Sequence, residues 1–167
     1  MNMEHPTESY LKVLFEKIKI KDIMTTSFIT IHEDARFSEA FEKFRDHHIS
    51  HLLVIKGAKR LVGILSQKYL YKAQSPRKIL SQDLAYGENI LIDGDSFYDK
   101  ETLDRYILSN IMQPRPYTLL PDDSVAAAIT DMSKKNLGCI PIVDGRQDLC
   151  GVITDREIVH FVAQSLK

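Results

Sequence analysis

The sequence predicts a mixed α/β (α+β) fold in which two copies of one unit follow each other along the chain, each a small β-sheet with helices packed on one face. Three observations support this prediction. The chain repeats itself at a constant shift of 88 residues, which places Met24 on Met112. Each copy carries an amphipathic helical segment, and each then carries two short apolar runs separated by a turn that contains glycine.

The repeat needs no gap in either copy. Besides Met24, the shift places Ile23 on Ile111, and a repeat of this length indicates a duplicated structural unit. Six further positions are identical at the same shift: Thr30 with Thr118, Asp34 with Asp122, Ala40 with Ala128, Gly57 with Gly145, Leu61 with Leu149 and Gly63 with Gly151.

Helical periodicity occurs near the start of the chain and once early in each copy. An N-terminal amphipathic helix is predicted within residues 1–19, where apolar residues recur between lysines. In both copies apolar residues recur at i, i+3, i+4 and i+7, the spacing of a helix buried along one stripe. These residues are Phe37, Ala40, Phe41 and Phe44 in the first copy and Val125, Ala128, Ile129 and Met132 in the second.

A β-hairpin is predicted after each of these two helices, because two apolar runs flank a polar turn. The runs are residues 51–55 and 61–65 in the first copy and residues 139–143 and 149–153 in the second. Pro141 has no N–H to donate to a ladder, so we expect its strand to be an edge strand or to begin near this residue.

A further helix is predicted after each hairpin, from about Gln67 in the first copy and from about Asp155 in the second. The apolar residues of the second of these helices are Ile158, Val159, Phe161 and Val162. Residues 73–107 lie between the copies, are acidic and contain glycine, which is typical of a connector.

Composition and charge exclude several classes of function. A net charge of −1 argues against a broad electrostatic surface for nucleic acid. No apolar run approaches the roughly 18 residues needed to cross a membrane, and no secretory signal is present, so a cytoplasmic location is expected. Cys139 and Cys150 lack metal-ligand spacing and are predicted to be reduced structural thiols. His47 and His51 are four residues apart, but a predicted turn separates them and no further ligand is nearby, so no metal site is predicted.

In each copy the predicted elements follow the order strand, helix, strand, strand, helix. Each copy opens with Ile-Met, and its last strand ends with glycine, two apolar residues and Thr or Ser. This arrangement resembles a pair of CBS domains (a Bateman module) of the stand-alone bacterial or archaeal type. The resemblance implies copies related by a pseudo-two-fold axis. It divides the chain into an N-terminal helix (1–19), a first CBS domain (20–72), an acidic connector (73–107) and a second CBS domain (108–167). It also implies a homodimer formed through the helices after the hairpins, so some of Ile158, Val159, Phe161 and Val162 are expected to face a second chain.

The resemblance further implies a ligand site in the cleft between the two CBS domains. The family pattern is glycine, two apolar residues, Thr, two residues and Asp, and residues 151–157 read Gly-Val-Ile-Thr-Asp-Arg-Glu. A helix N-terminus offers unpaired N–H groups and partial positive charge, which suit phosphate, and a carboxylate one turn in can accept the ribose hydroxyl protons. The implied ligand-binding residues are Thr154, Asp155, Arg156 and Glu157 at this junction, with Met112, Tyr117, Thr118, Cys139, Ile140 and Pro141 around the adenine.

Two features of the sequence leave alternatives open. Glu157 replaces the family Asp, and Thr154-x-x-Glu157 is also a capping box, which satisfies a helix start without any ligand. In the first copy Ser66 and Tyr69 stand at the corresponding positions, and His51 corresponds to Cys139. A weaker second site is therefore expected there, with Tyr69 either stacking on a base or packing in the protein.

The resemblance implies a regulatory module that senses an adenine nucleotide (AMP, ADP or ATP), or a related adenosyl ligand, and acts on an unidentified protein target. The nucleotide would be a regulatory ligand, and no cofactor is expected. Neither a nucleophile and base motif nor a Walker or Rossmann motif occurs, so the chain is not expected to be an enzyme. The alternative is a dimerisation or protein-docking scaffold whose ligand sites are degenerate.

Overall fold

The computed structural model describes residues 6–67 and 108–166 of the chain. The predicted connector, Tyr69 and all but the first residue of the helix expected from about Gln67 lie outside these residues. In chain order the described elements are α1 (Pro6–Lys17), β1 (Thr30–His32), α2 (Phe37–His47), β2 (His51–Lys56), β3 (Arg60–Ser66), β4 (Gln113–Pro114), α3 (Val125–Lys135), β5 (Cys139–Val143), β6 (Leu149–Thr154) and α4 (Asp155–Ser165). This mixed architecture confirms the predicted fold class.

The chain forms two compact units. Of the described residues, one unit, here called the first-copy unit, comprises residues 29–56, 62–67 and 108–115. The other, here called the second-copy unit, comprises residues 6–28, 57–61 and 116–166. The units therefore do not coincide with the ranges 20–72 and 108–167, because each takes in the opening residues of the other copy.

The first-copy unit contains a four-stranded sheet in the order β1-β2-β3-β4. Strands β1 and β2 are parallel, with Ile31 opposite Val54, and β3 and β4 are antiparallel, with Ile64 opposite Gln113. Helix α2 buries one stripe against this sheet, as its spacing predicts. The core consists of Ile31, Phe37, Ala40, Phe44, Leu52, Val54, Leu65 and Leu108.

The second-copy unit contains the antiparallel pair β5 and β6. Helix α3 begins at the N-cap Ser124, whose hydroxyl accepts the N–H of Ala127 at 3.2 Å, and ends at Asn136 in the left-handed conformation (φ 53°). His48 ends α2 in the same way (φ 50°), so in both copies a residue in the left-handed conformation ends this helix. The core consists of Ile20, Leu119, Ala128, Met132, Ile140, Ile142 and Ile153.

The opening segment of the first copy is built into the second-copy unit. The N–H groups of Ile20 and Lys21 donate to the carbonyls of Asp123 and Pro121, both at 2.9 Å. Farther along, Thr25 and Val152 exchange two backbone hydrogen bonds of 3.0 Å each. The segment is thus tied to the loop before α3 at one end and to β6 at the other.

A methionine and a glycine explain why this segment lies so close to the strand. A Cβ added at Gly151 would collide with the sulphur of Met24, and a Cβ at Gly63 would collide with the sulphur of Met112. Each opening methionine therefore lies flat on a strand glycine of the same unit. Because any side chain at the glycine would displace the methionine, the Ile-Met opening and the strand glycine form one packing motif.

Pro141 lies at the centre of β5 and not at its start. Strand β5 has β6 on one side, and on the other it has an isolated bridge in which Leu119 donates to the carbonyl of Pro141 at 3.3 Å. Because β5 has only an isolated bridge on the side away from β6, it can accommodate a residue without an N–H group. No helix in the described part of the chain combines the length and the apolar character needed to cross a membrane.

We expect Gly151→Ala to lower the free energy of unfolding by about 1–3 kcal/mol, because overpacking at the Met24 sulphur forces strain or movement of the segment. The midpoint of urea unfolding measures this change at constant slope. Gly145→Ala is the matched control, since no atom lies within 4 Å of its added Cβ. A midpoint for Gly151→Ala equal to that of the control would contradict this packing role.

Candidate functional site

The junction between β6 and α4 is a fully formed helix cap. Thr154 is the N-cap residue with extended backbone (φ −123°, ψ 169°), and α4 begins at Asp155. The Thr154 N–H donates to Oε2 of Glu157 at 3.0 Å, and the Thr154 hydroxyl donates to the same oxygen. The capping-box interpretation of these two residues therefore describes the geometry in the structure.

The two carboxylate oxygens of Glu157 are in different situations. Oε2 accepts both hydrogen bonds from Thr154. Within the described residues, no donor contacts Oε1, and the Glu157 side chain is only half-buried. A carboxylate can accept at both oxygens, so the cap leaves one oxygen available to a ligand hydroxyl.

The first turn of α4 is less open to phosphate than a bare helix start would be. The Arg156 N–H donates to Oγ1 of Thr154 at 3.2 Å and to Oδ1 of Asp155 at 2.9 Å. The Glu157 N–H also donates to the Thr154 side chain. The expectation of unpaired N–H groups at this helix start is therefore wrong for these two donors.

Strand β5 places the predicted adenine-slot residues beside the junction. Cys139 is opposite Thr154, Ile140 is opposite Ile153, and Pro141 is opposite Val152. Cys139, Ile140 and Pro141 are all buried, so a ligand would meet mainly their backbone unless the site opens. Burial raises the pKa of the Cys139 thiol to about 12, with smaller effects from the carboxylates of Glu157 and Asp155, so this thiol stays protonated at neutral pH.

Tyr117 is held by α3. Its hydroxyl donates to Oδ2 of Asp131 at 2.6 Å, Lys135 donates to Oδ1 of Asp131 at 2.6 Å, and the Lys135 ammonium lies 4.5 Å from the centre of the tyrosine ring. Hydrogen bonds from Lys135 and Tyr117 lower the pKa of Asp131. The hydrogen bond to Asp131, with burial, raises the pKa of Tyr117 to about 12. Thr118, the next residue, is half-buried and leads into the buried Leu119.

Three further predicted residues, Met112, Ser66 and His51, lie in the first-copy unit. Met112 packs on Gly63 there, and the methionine that packs beside the Thr154 junction, on Gly151, is Met24. Ser66 is the last residue of β3, as Thr154 is of β6, and His51 is the first residue of β2, as Cys139 is of β5. Both Ser66 and His51 are half-buried. Tyr69 is outside the described residues.

A surface pocket of about 340 Å³ adjoins the junction within the second-copy unit. Its lining is Asp22, Ile23, Arg156, Glu157, His160, Phe161 and Gln164. Only Arg156 and Glu157 belong to the predicted site. Asp22 and Ile23 reach the pocket because their segment pairs with β6, while the other three extend the site along α4.

Comparison with known families assigns this architecture. The family model of the CBS domain matches residues 20–76 and 108–164. The chain belongs to the CBS domain family. Residues 23–24 and 111–112, the Ile-Met openings, fall inside the two matched segments, as do both strand glycines.

Curated relatives of this CBS domain pair are much longer proteins. It is 23% identical over 145 residues to a homoserine O-acetyltransferase of Methanosalsum zhilinae, and the match covers 87% of this chain and 24% of that protein. The chain spans about a quarter of the length of the curated relatives it matches.

Solved structures with the same fold are tandem CBS domains. The CBS domain pair of protein MJ0100, in complex with 5′-methylthioadenosine and S-adenosyl-L-methionine, has a TM-score of 0.65 and 24% identity, covering 86% of this chain and 98% of that chain. CBSX2 in complex with AMP has a TM-score of 0.68 and 19% identity, covering 90% of this chain and 99% of that chain. At these identities the likeness shows the fold.

Sequence reasoning missed Asp22, Ile23 and Met24 of the opening segment, and it did not place His160, Phe161 and Gln164 of α4 at this site. The repeat marks Ile23 and Met24 as important, but both openings share the same Ile-Met pattern, so nothing in it indicates which copy each opening completes. Within the described residues no group of His, Cys, Asp or Glu side chains is arranged to hold a metal ion.

We expect one of the seven tyrosines to ionise near pH 12 in the folded CBS pair, and Tyr117→Phe to remove that component from a spectrophotometric titration. The pKa of Tyr117 is raised from 10.0 to about 12 in the folded chain. The hydrogen bond from Tyr117 to Asp131 therefore stabilises the fold fully below pH 10, and this stabilisation is lost as the pH rises towards 12. At neutral pH the variant should be about 1 kcal/mol less stable. Uniform titration of all seven tyrosines near pH 10 would contradict the Asp131 bond.

Proposed function

We propose that this CBS domain pair is a non-catalytic sensor that binds an adenine nucleotide or a related adenosyl compound at the junction of β6 and α4. The observation that carries the proposal is Oε1 of Glu157, a carboxylate oxygen to which no described residue donates a hydrogen bond. It lies one turn into a helix, next to a pocket and beside the adenine-slot strand β5. A carboxylate oxygen in this position suits the hydroxyl donors of a ribose.

The CBS neighbours support the class of ligand. Both solved CBS structures described above are complexes, one with 5′-methylthioadenosine and S-adenosyl-L-methionine and the other with AMP, and all three compounds carry adenine on a ribose ring. We propose that the shared adenosine part is what this chain binds. The ligand would act by favouring one of two conformations of the module, and it can do so only through a difference in affinity between them.

Binding of the adenosine part is tested by calorimetric titration of ligand-free protein with AMP, ADP, ATP, 5′-methylthioadenosine and S-adenosylmethionine. We expect at least one of these compounds to bind with one ligand per Thr154 junction. Glu157→Gln keeps an oxygen for the Thr154 N–H but replaces the other carboxylate oxygen by an amide nitrogen, which cannot accept ribose hydroxyls. We therefore expect about tenfold weaker binding with an almost unchanged melting temperature.

The control for this experiment is Glu157→Ala, which removes the cap as well. It should lose on the order of 1 kcal/mol of stability in addition to ligand affinity. If Glu157→Gln binds as well as the unmodified chain, the carboxylate serves only the cap and the sensor proposal loses its carrying observation.

The second candidate function is a dimerisation or docking scaffold with degenerate sites. The completed capping box favours it, because Thr154 and Glu157 satisfy each other without a ligand. Absence of binding across the whole panel would support the scaffold.

Under either function we propose that the regulated partner is a protein outside this chain. The free cysteines Cys139 and Cys150 support a reducing compartment such as the cytoplasm.

We also propose that the module is a homodimer through one side of α4. Ile158 packs against the core cluster and Phe161 lines the pocket, so two of the four residues expected at a dimer contact are already used within the chain. Val159 is 66% exposed and Leu166 is 82% exposed. Successive helical residues rotate by about 100°, which places Val159, Val162 and Leu166 on one flank.

Val159→Glu should weaken such a dimer at least tenfold, because the contact would have to bury a charge without a partner. Light scattering during size-exclusion chromatography measures the mass. Gln164→Glu is the matched control, since it adds the same charge to the same helix on the pocket flank. A chain that is monomeric before any substitution would refute the dimer.

A further inference from the structure

Each of the two opening methionines presents one face of its sulphur to a strand glycine. A Cβ added at the glycine would be nearest to the sulphur, and the Cγ and Cε atoms would be farther away at nearly equal distances. These distances are 3.1 and 3.2 Å for Met24 over Gly151, and 3.0 and 3.2 Å for Met112 over Gly63. Such a point lies above the plane of the two C–S bonds, because a point in that plane beyond the sulphur would be farther from both carbons. The strand therefore covers one face of each thioether.

The opening methionines differ in exposure from the third methionine in the described part of the chain. Met24 and Met112 are half-buried, whereas Met132 is only 7% exposed and belongs to the core of the second-copy unit. A thioether enclosed in a core is shielded from an oxidant dissolved in water. Of these three side chains, Met24 and Met112 are therefore the two that such an oxidant reaches in the folded chain.

Both opening methionines also pack against the core of their unit. Met24, with Ile23, contacts the core cluster of the second-copy unit, and Met112, with Ile111, contacts that of the first-copy unit. Oxidation converts the flexible apolar side chain of methionine into a polar sulfoxide. A sulfoxide oxygen held at these apolar contacts without a donor costs free energy. Oxidation of either methionine therefore weakens the contact between an opening segment and its strand.

We propose that Met24 and Met112 are sites of reversible oxidation by a peroxide, one in each unit, and that the oxygen adds to the sulphur face that points away from the glycine. The sulphur attacks one peroxide oxygen, and the S–O bond forms as the O–O bond breaks. The departing hydroxide takes the proton of the attacked oxygen and leaves as water. The sulphur loses two electrons and the peroxide gains them. Because the strand blocks the other face, each methionine acquires a single sulfoxide epimer.

The two cysteines are poorer targets for the same oxidant. A peroxide reacts with the thiolate form of cysteine. Burial raises the pKa of the Cys139 thiol to about 12 and also raises the pKa of the Cys150 thiol. The Cys150 thiol in addition donates to the carbonyl of Ile142 at 3.3 Å. Both cysteines therefore remain mainly protonated at neutral pH.

Treatment of the folded chain with hydrogen peroxide, followed by peptide mapping in a mass spectrometer, tests the two sites. Met24 and Met112 should each gain one oxygen at least about tenfold faster than Met132. Methionine sulfoxide reductases are specific for one epimer each, so only one of the two enzymes should reduce each oxidised peptide after digestion. Equal amounts of the two epimers, or oxidation of Met132 at the same rate, would overturn the proposal.

Oxidation should also lower the midpoint of urea unfolding, by about 0.5 M. The double variant Met24→Leu, Met112→Leu keeps apolar side chains of similar volume and offers no sulphur at these positions, so peroxide should leave its midpoint unchanged. Met132→Leu is the matched control and should stay as sensitive as the unmodified chain. Treatment of the oxidised unmodified chain with both reductases should restore its midpoint, a measurement that does not depend on the folding of any variant. A midpoint that peroxide does not change, or that falls equally in the double variant, refutes the role of these two methionines.

Discussion

The contact between a methionine sulphur and a strand glycine decides how each compact unit of this protein is assembled. Met24 lies on Gly151 where any Cβ would collide with it, and this close approach lets Thr25 pair with Val152. The pairing carries Asp22 and Ile23 to the flank of α4. A larger residue at the glycine would force the Met24 side chain to move.

A second close contact, between Glu157 and Thr154, forms the start of helix α4. Glu157 has one methylene more than the family aspartate, and this extra length lets its carboxylate fold back onto the Thr154 N–H and hydroxyl. The start of α4 is therefore capped by side chains of the chain itself. Among the described residues, only Oε2 of the two carboxylate oxygens of Glu157 accepts hydrogen bonds.

The helices and hairpins could be read from the sequence because periodicity is a local property of the chain. The spacing of Phe37 and Val125 with their partners marks the buried stripes of α2 and α3, and the resemblance to the family pattern implies the junction at Thr154. Two features of the site were not accessible in this way. The sequence carries the same Ile-Met pair in both copies, so the pairing of Met24 with Gly151 depends on tertiary contacts that no local pattern records.

The second inaccessible feature is the occupation of the helix N–H groups. Thr154, Asp155 and Glu157 are each common at helix starts, and from their spacing alone a phosphate and a cap are equally reasonable partners. In the folded chain the N–H groups of Arg156 and Glu157 donate to the side chains of Thr154 and Asp155. Tyr117 illustrates the same limit, because its bond to Asp131 joins a loop to a helix fourteen residues away in sequence.

The crossing of the two openings has a consequence for the order in which the protein can be completed. Met24 of the first copy packs on Gly151 of the second, and Met112 of the second copy packs on Gly63 of the first. Neither copy therefore supplies the methionine that covers its own strand glycine. During synthesis from the N-terminus, the first copy lacks this contact until the opening of the second copy has been made.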